Sequence, residues 1–260
     1  MGPYLLSAGV ILGYMSACYA LSLIRGRNDI ADIAWGLGFI LVGGASLLAG
    51  GVFSWRGLLL LGLVTLWGLR LALHIHARNR GRGEDPRYRQ WREAWGRWFA
   101  LRSFLQVFLL QGLLLVIVAL PVIHVNAAPP TPFGALDLLG LLVWLAGFLF
   151  EAVGDGQLLA FMRNPANKGK LMTAGLWRFT RHPNYFGEVT LWWGAWLIAC
   201  GAQDGWRTVI GPLTLTFLIL KVSGIPMLER RYAGRADFEA YKRRTSVFLP
   251  LPPRDERSSS

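Results

Sequence analysis

Runs of roughly twenty apolar residues recur along this chain, and a backbone inside hydrocarbon has few options. With no water to satisfy its N–H and C=O groups it must bond to itself, and runs of this length select the α-helix. Tyr4–Ile24, Asp32–Ala49, Leu58–His76, Phe104–Ile123, Leu136–Phe161, Tyr185–Gly201 and Val209–Leu228 each qualify as spans. The expected fold is all-α: a polytopic membrane protein of seven transmembrane helices in a single integral membrane domain over 1–260. Ala77–Arg102 is basic, rich in Trp and too polar to span, which places it at the interface. Pro212 and Pro226 interrupt the last helix, and 229–253 forms an amphipathic basic tail. The N-terminus lacks a basic n-region and reads as a first membrane helix rather than a cleaved signal. Only 16% of the residues are charged, against about one quarter in soluble domains.

The formal net charge is +12, and its distribution carries more than its size. Segments 25–31, 77–103, 162–184 and 229–260 hold 2, 8, 5 and 8 of the 27 Lys and Arg residues. The opposite loops hold only Arg56 and Arg207. By the positive-inside rule the N-terminus is outside and the C-terminus cytoplasmic. Short basic loops of this kind argue for a lipid bilayer as partner and against nucleic acid. Cys18 and Cys200 have neither metal nor disulfide spacing, so no metal site is expected.

Charges within the spans mark the chemistry. Asp32, Arg70, Glu151, Asp155, Glu188 and Lys221 lie in apolar segments, where a charge is costly without a partner or a wet cavity. Arg70, Asp155, Glu188 and Lys221 fall at similar depth, which points to one cavity open to the cytoplasm. The densest polar stretch is Gly175–Glu188, with Arg178, Arg181, His182, Asn184, Tyr185 and Glu188. Pro183 suits the first turn of a helix, and Asn184 and Glu188 then share a face. Arg178 and Arg181 beside a helix N-terminus favour a phosphate-bearing ligand. His182 has no second histidine at ligand spacing, so a structural or phosphate-contacting role is expected rather than a metal. Asn79, Arg80 and Arg82 form a second basic group.

Arg181-His-Pro-Asn-Tyr-Phe-Gly-Glu188, preceded by Asp155 and Arg163, resembles the C-terminal half of the membrane steroid 5-alpha-reductases and their sterol-reductase relatives. Asn79-Arg-Gly-Arg82 is similar to that family's basic loop, and 222–250 resembles a bacterial branch of the same superfamily. The resemblance implies a seven-helix fold, NADPH in a cytoplasm-facing cavity, and hydride transfer to an activated carbon–carbon double bond of an apolar substrate. It implies Asn79, Arg82, Asp155, Arg163, Asn184, Tyr185 and Glu188 as cofactor-lining residues, with Arg230, Arg231 and Tyr241 as further carry-overs. Residues 1–76 would then form the substrate side and 104–260 the cofactor-binding half, in a monomer of the bacterial inner membrane. The surplus of Arg80, Arg82, Arg163, Arg178 and Arg181 over acids favours NADPH over NADH.

The N-terminal half departs from that family. Where the family has a Gln-Glu pair and a Tyr, this chain offers Asp32, one carbon shorter, and Trp67 or His74. Reduction of an enone such as a 3-keto-4-ene steroid builds negative charge on the carbonyl oxygen, which a placed donor stabilises. Asp32 is the expected catalytic acid, kept protonated by a poorly hydrated pocket, with Trp67 or His74 assisting. A helix-terminal carboxylate satisfying backbone donors is the competing role for Asp32. Two other functions stay open. Isoprenylcysteine and phospholipid methyltransferases share Arg-His-Pro-x-Tyr and bind S-adenosylmethionine, but usually follow it with a Glu-Glu pair, whereas Glu229 here precedes Arg230. A non-catalytic lipid- or ion-handling protein would pair off its charges and leave no room for a dinucleotide.

Overall fold

The computed structural model describes residues 1–81 and 83–254, and among them every regular element is helical. The chain divides into two compact units, Met1–Leu138 with Ala195–Gly211, and Leu139–Gly194 with Pro212–Ser260.

The first unit opens with α1 (Pro3–Arg25), α2 (Ile30–Gly50) and α3 (Trp55–Asn79). α1 stops at Gly26, whose left-handed φ of 63° lets the chain turn back over the last carbonyls. α2 and α3 cross at Gly36 and Gly68, where a Cβ on Gly36 would lie 2.7 Å from the Gly68 carbonyl oxygen. Small residues of this kind let membrane helices meet backbone to backbone. Beside the crossing, Trp67 is wholly buried, with its ring edge-to-face on Phe39 at 5.3 Å.

α4 (Pro86–Trp95) and α5 (Phe99–Arg102) lead through a π-helical stretch (Ser103–Leu109) into α6 (Leu110–Val118) and α7 (Leu120–Ala127). The single helix expected over Phe104–Ile123 is therefore corrected: it is π-wound at its start and interrupted at Ala119. Pro121 lies in the first turn of α7, where its missing N–H costs nothing, and this favours a break just before it.

α8 (Ala135–Arg163) enters the second unit at Leu139. It runs against α9 (Pro183–Ala199) at Gly147 and Gly187, where a Cβ on Gly187 would strike the Gly147 carbonyl and the Glu151 backbone. Pro183 opens α9, as its position in the sequence predicts. α10 (Ile210–Phe217), a second π-stretch (Leu218–Val222), α11 (Ile225–Arg230) and α12 (Ala236–Arg244) complete the chain. The tail beyond α12 folds back on 179–181: Arg181 N–H donates to the Ser246 carbonyl at 2.9 Å and Leu251 N–H to Phe179 at 3.0 Å.

Six segments are long and apolar enough to cross a membrane among the described residues: Pro3–Arg25, Ile30–Gly50, Trp55–Asn79, Pro86–Val118, Ala135–Arg163 and Gly205–Arg230. The chain is thus an integral membrane protein. α9 has 17 residues, about 26 Å of helix, close to the lower limit for a span.

One buried ion pair ties the first unit together. Arg56 at the start of α3 donates to both oxygens of Asp137, at 2.6 and 2.7 Å, with side-chain exposures of 5% and 1%. The same guanidinium holds the 131–132 loop through the Thr131 hydroxyl and, at 2.9 Å, the Pro132 carbonyl. Removing one member leaves the other charge buried and uncompensated. Asp137→Asn is expected to cost about 3–5 kcal/mol, read by thermal unfolding in detergent, while Arg56→Met with Asp137→Leu recovers most of it. A double variant as unstable as the single one refutes this account of the pair.

Candidate functional site

Two groups of polar side chains stand out, one in each unit. In the second unit the close approach of α8 and α9 brings Asp155, 6% exposed, to Asn184 in the first turn of α9. The Asn184 amide donates to the Asp155 carboxylate at 3.1 Å. Glu188 follows one turn on, half-buried, so the pairing read from the sequence lies on one helix face.

Arg181 and His182 lie just before α9 and point elsewhere. Arg181, 8% exposed, donates to Glu229 at 2.8 Å and to the Thr245 carbonyl at 2.7 Å. His182 Nε2 lies 3.1 Å from the same Glu229 oxygen, and the Tyr185 ring stacks on the imidazole at 5.6 Å. The expectation that Arg181 offers its charge to a ligand phosphate is corrected by this arrangement, because its guanidinium fork closes on the tail. Tyr241 likewise donates to the Trp177 carbonyl, and burial pushes its phenol up, so it stays a donor across the neutral range. Arg163, Arg178, Arg230 and Arg231 are exposed around this group.

In the first unit Asp32, in the first turn of α2, accepts from Arg87 at 2.7 Å and from the Tyr88 hydroxyl at 2.7 Å. Asp85 caps α4 through the Arg87 N–H at 2.9 Å and braces the Arg87 guanidinium at 3.1 Å. Asp32 was expected to be a protonated acid without a cationic partner. It is instead ion-paired to Arg87, with both oxygens accepting, and the proton donor beside it is Tyr88.

Asn79 ends α3 and donates to Asp29 at 3.4 Å, whose carboxylate is already bonded by Arg27 at 2.6 and 3.1 Å. Arg80 follows the helix and is exposed, and Arg82 lies outside the described residues. Trp67 sits in the α2–α3 core, while His74 is half-buried two turns further along α3. Sequence reasoning gave no role to Arg87 and Tyr88, and did not foresee Glu229 as the partner of Arg181 and His182. For the first two a signal was present: Asp85-Pro86 is a helix start, which sets Tyr88, Trp91 and Trp95 on one face.

A family profile described as "Protein of unknown function (DUF1295)" matches residues 18–245. The chain belongs to this family. Among curated relatives, an uncharacterized protein of Schizosaccharomyces pombe is 27% identical over 198 residues, covering 67% of this chain and 56% of that protein. A 3-oxo-5-alpha-steroid 4-dehydrogenase 1 of Macaca fascicularis is 29% identical over 115 residues, 44% of this chain and 40% of the relative. A probable O-methyltransferase of Ustilaginoidea virens is 36% identical over 64 residues, 25% of this chain and 22% of the relative. This DUF1295 chain thus spans about half or less of the length of the curated relatives it matches. No solved structure matches it.

In the DUF1295 chain the Arg181–Glu229 bond should act as the latch of the tail. Glu229→Ala is expected to cost about 1.5–3 kcal/mol, the worth of a hydrogen bond to a charged group, and to open 245–254 to limited proteolysis. Arg181→Lys should do nearly the same, since an ammonium cannot reproduce the fork. Unchanged cleavage in both variants would assign the latch to other contacts.

Proposed function

We propose that this protein is an NADPH-dependent membrane reductase of the 3-oxo-5-alpha-steroid 4-dehydrogenase type. It would reduce the carbon–carbon double bond of an apolar enone such as a 3-keto-4-ene steroid. Seven spans with the N-terminus outside and the C-terminus cytoplasmic complete the reading, in the inner membrane of a bacterium. The distant relationship to a steroid dehydrogenase supports the reaction class. The observation that carries the proposal is Tyr88, a buried phenol bonded to Asp32, with Arg87 neutralising the carboxylate.

The donor set of the second unit suits a phosphorylated dinucleotide. Arg163, Arg178, Arg230, Arg243 and Arg244 are exposed cations, while the nearby acids Asp237 and Glu239 are already bonded to Arg235 and Lys242. Arg163, Arg178, Arg230 and Arg231 would hold phosphates, and Asn184, Tyr185 and Glu188 the nicotinamide and ribose end. NADPH, when bound, supplies the hydride. Within the first unit, Tyr88 would offer its proton to a substrate carbonyl oxygen, with Asp32 holding the phenolic oxygen in position. Arg87 keeps Asp32 an acceptor, so Tyr88 is the acid and Asp32 a positioning residue.

A second reading, an S-adenosylmethionine-dependent methyltransferase, draws on the 64-residue match to a probable O-methyltransferase. A sulfonium cofactor sits less easily among so many exposed arginines, and Glu229 is engaged by Arg181 and His182.

Binding to the detergent-solubilised protein separates the two. NADPH is expected to bind at least about ten-fold more tightly than NADH, because one charge-assisted phosphate contact is worth about 1.5–3 kcal/mol. Tight S-adenosylmethionine binding would overturn the reductase. For the chemistry, Tyr88→Phe should bind NADPH normally and turn over a 3-keto-4-ene steroid about 10²–10³ times more slowly. Asp32→Leu should resemble it. Wild-type turnover in Tyr88→Phe would place the donor elsewhere.

A further inference from the structure

The segment from α4 to the π-stretch carries a surface that the reductase reading leaves unused. Residues 86–105 hold five arginines against one acid, Glu93. Arg87 and Arg92 are engaged within the fold: Arg92 donates to the Gly26 carbonyl at 2.9 Å and to Glu84 at 3.0 Å, and its guanidinium lies 4.1 Å from the centre of the Phe99 ring. With Tyr88 fixed on Asp32 and the Trp91 and Trp95 rings stacked at 5.4 Å, these contacts pin the segment from within.

Its outer face is different. Arg97 and Arg102 are exposed and make no hydrogen bond or ion pair among the described residues. Arg97 lies over the Trp98 ring at 5.4 Å. Trp98, Leu101 and Leu105 are 52%, 51% and 48% exposed, and with Arg102 they follow one another at helical spacing along one stripe. The stripe thus alternates apolar and cationic groups on a scaffold held from behind. A soluble phosphate would satisfy the two cations but make no use of the indole and both leucines beside them. A phospholipid answers both, with headgroup on guanidinium and acyl chain on the apolar side chains.

We propose that the Arg97–Leu105 stripe docks acidic phospholipids, the phosphate and anionic headgroup bound by Arg97 and Arg102 and the upper acyl chain lying on Trp98, Leu101 and Leu105. A zwitterionic lipid offers the same chain but no net charge, so the surface selects by headgroup charge. The selection is independent of any cofactor.

The test is native mass spectrometry of the full-length protein released from mixed micelles of phosphatidylglycerol and phosphatidylcholine at equal concentration. The expected result is retention of phosphatidylglycerol over phosphatidylcholine, falling about five-fold for each of Arg97→Gln and Arg102→Gln, as one surface cation contributes. The Arg97→Lys, Arg102→Lys variant should keep the preference. Inorganic phosphate at the same concentration should not displace the lipid; displacement would make this a soluble-anion site. Equal retention of both lipids by the wild type, or an undiminished preference in the double glutamine variant, would overturn the proposal.

Discussion

Inside hydrocarbon no solvent is available to a polar group, so each one must find its partner within the chain. In each unit that demand accounts for much of what is seen. The α2–α3 and α8–α9 crossings rest on glycines, which let polar backbones pass with no side chain between them. Acids on the helices are met by residues distant in sequence: Asp32 by Arg87 and Tyr88, Asp155 by Asn184, Glu229 by Arg181 and His182, Asp137 by Arg56. The pairings that keep the helices together are therefore also the ones that fix the polar groups of the candidate site in place. Structure and candidate site share one set of contacts.

What could be read in the sequence follows from what is local. Hydropathy over a window depends only on neighbours along the chain, so six of the seven expected spans and the start of α9 at Pro183 were legible. The Asn184–Glu188 face was legible for the same reason, since helical spacing fixes it. Pairing is tertiary, and there the reading failed. Nothing near Asp32 in sequence announces that Arg87 and Tyr88, more than fifty positions on, will close over it. Arg181 shows the same limit from the other side. Its charge is visible in the sequence, but its direction is not, and the structure turns it onto Glu229. The π-stretch at Ser103–Leu109 carries no compositional mark at all, because an extra residue per turn leaves the hydropathy unchanged.

The Arg87–Asp32 pair also changes what the first unit can offer to a ligand. An unpaired acid in a dry pocket would stay neutral and donate its own proton. A carboxylate joined to a guanidinium is a charge-balanced acceptor, and apolar ligands lose little by lying near a neutral pair. In the proposed reductase the acid would then be Tyr88, whose single proton is donated in a hydrogen bond to Asp32. A carbonyl reaching Tyr88 must exchange one hydrogen bond for another, so binding in the ground state gains little. The balance shifts once negative charge builds on the ligand oxygen, because a charged acceptor draws the phenolic proton more strongly than a neutral one. An interaction that strengthens only along the reaction lowers the barrier without tightening the ground state. In the proposed reductase the ion pair would therefore not compete with catalysis: it would set the threshold above which the Tyr88 proton moves to the substrate.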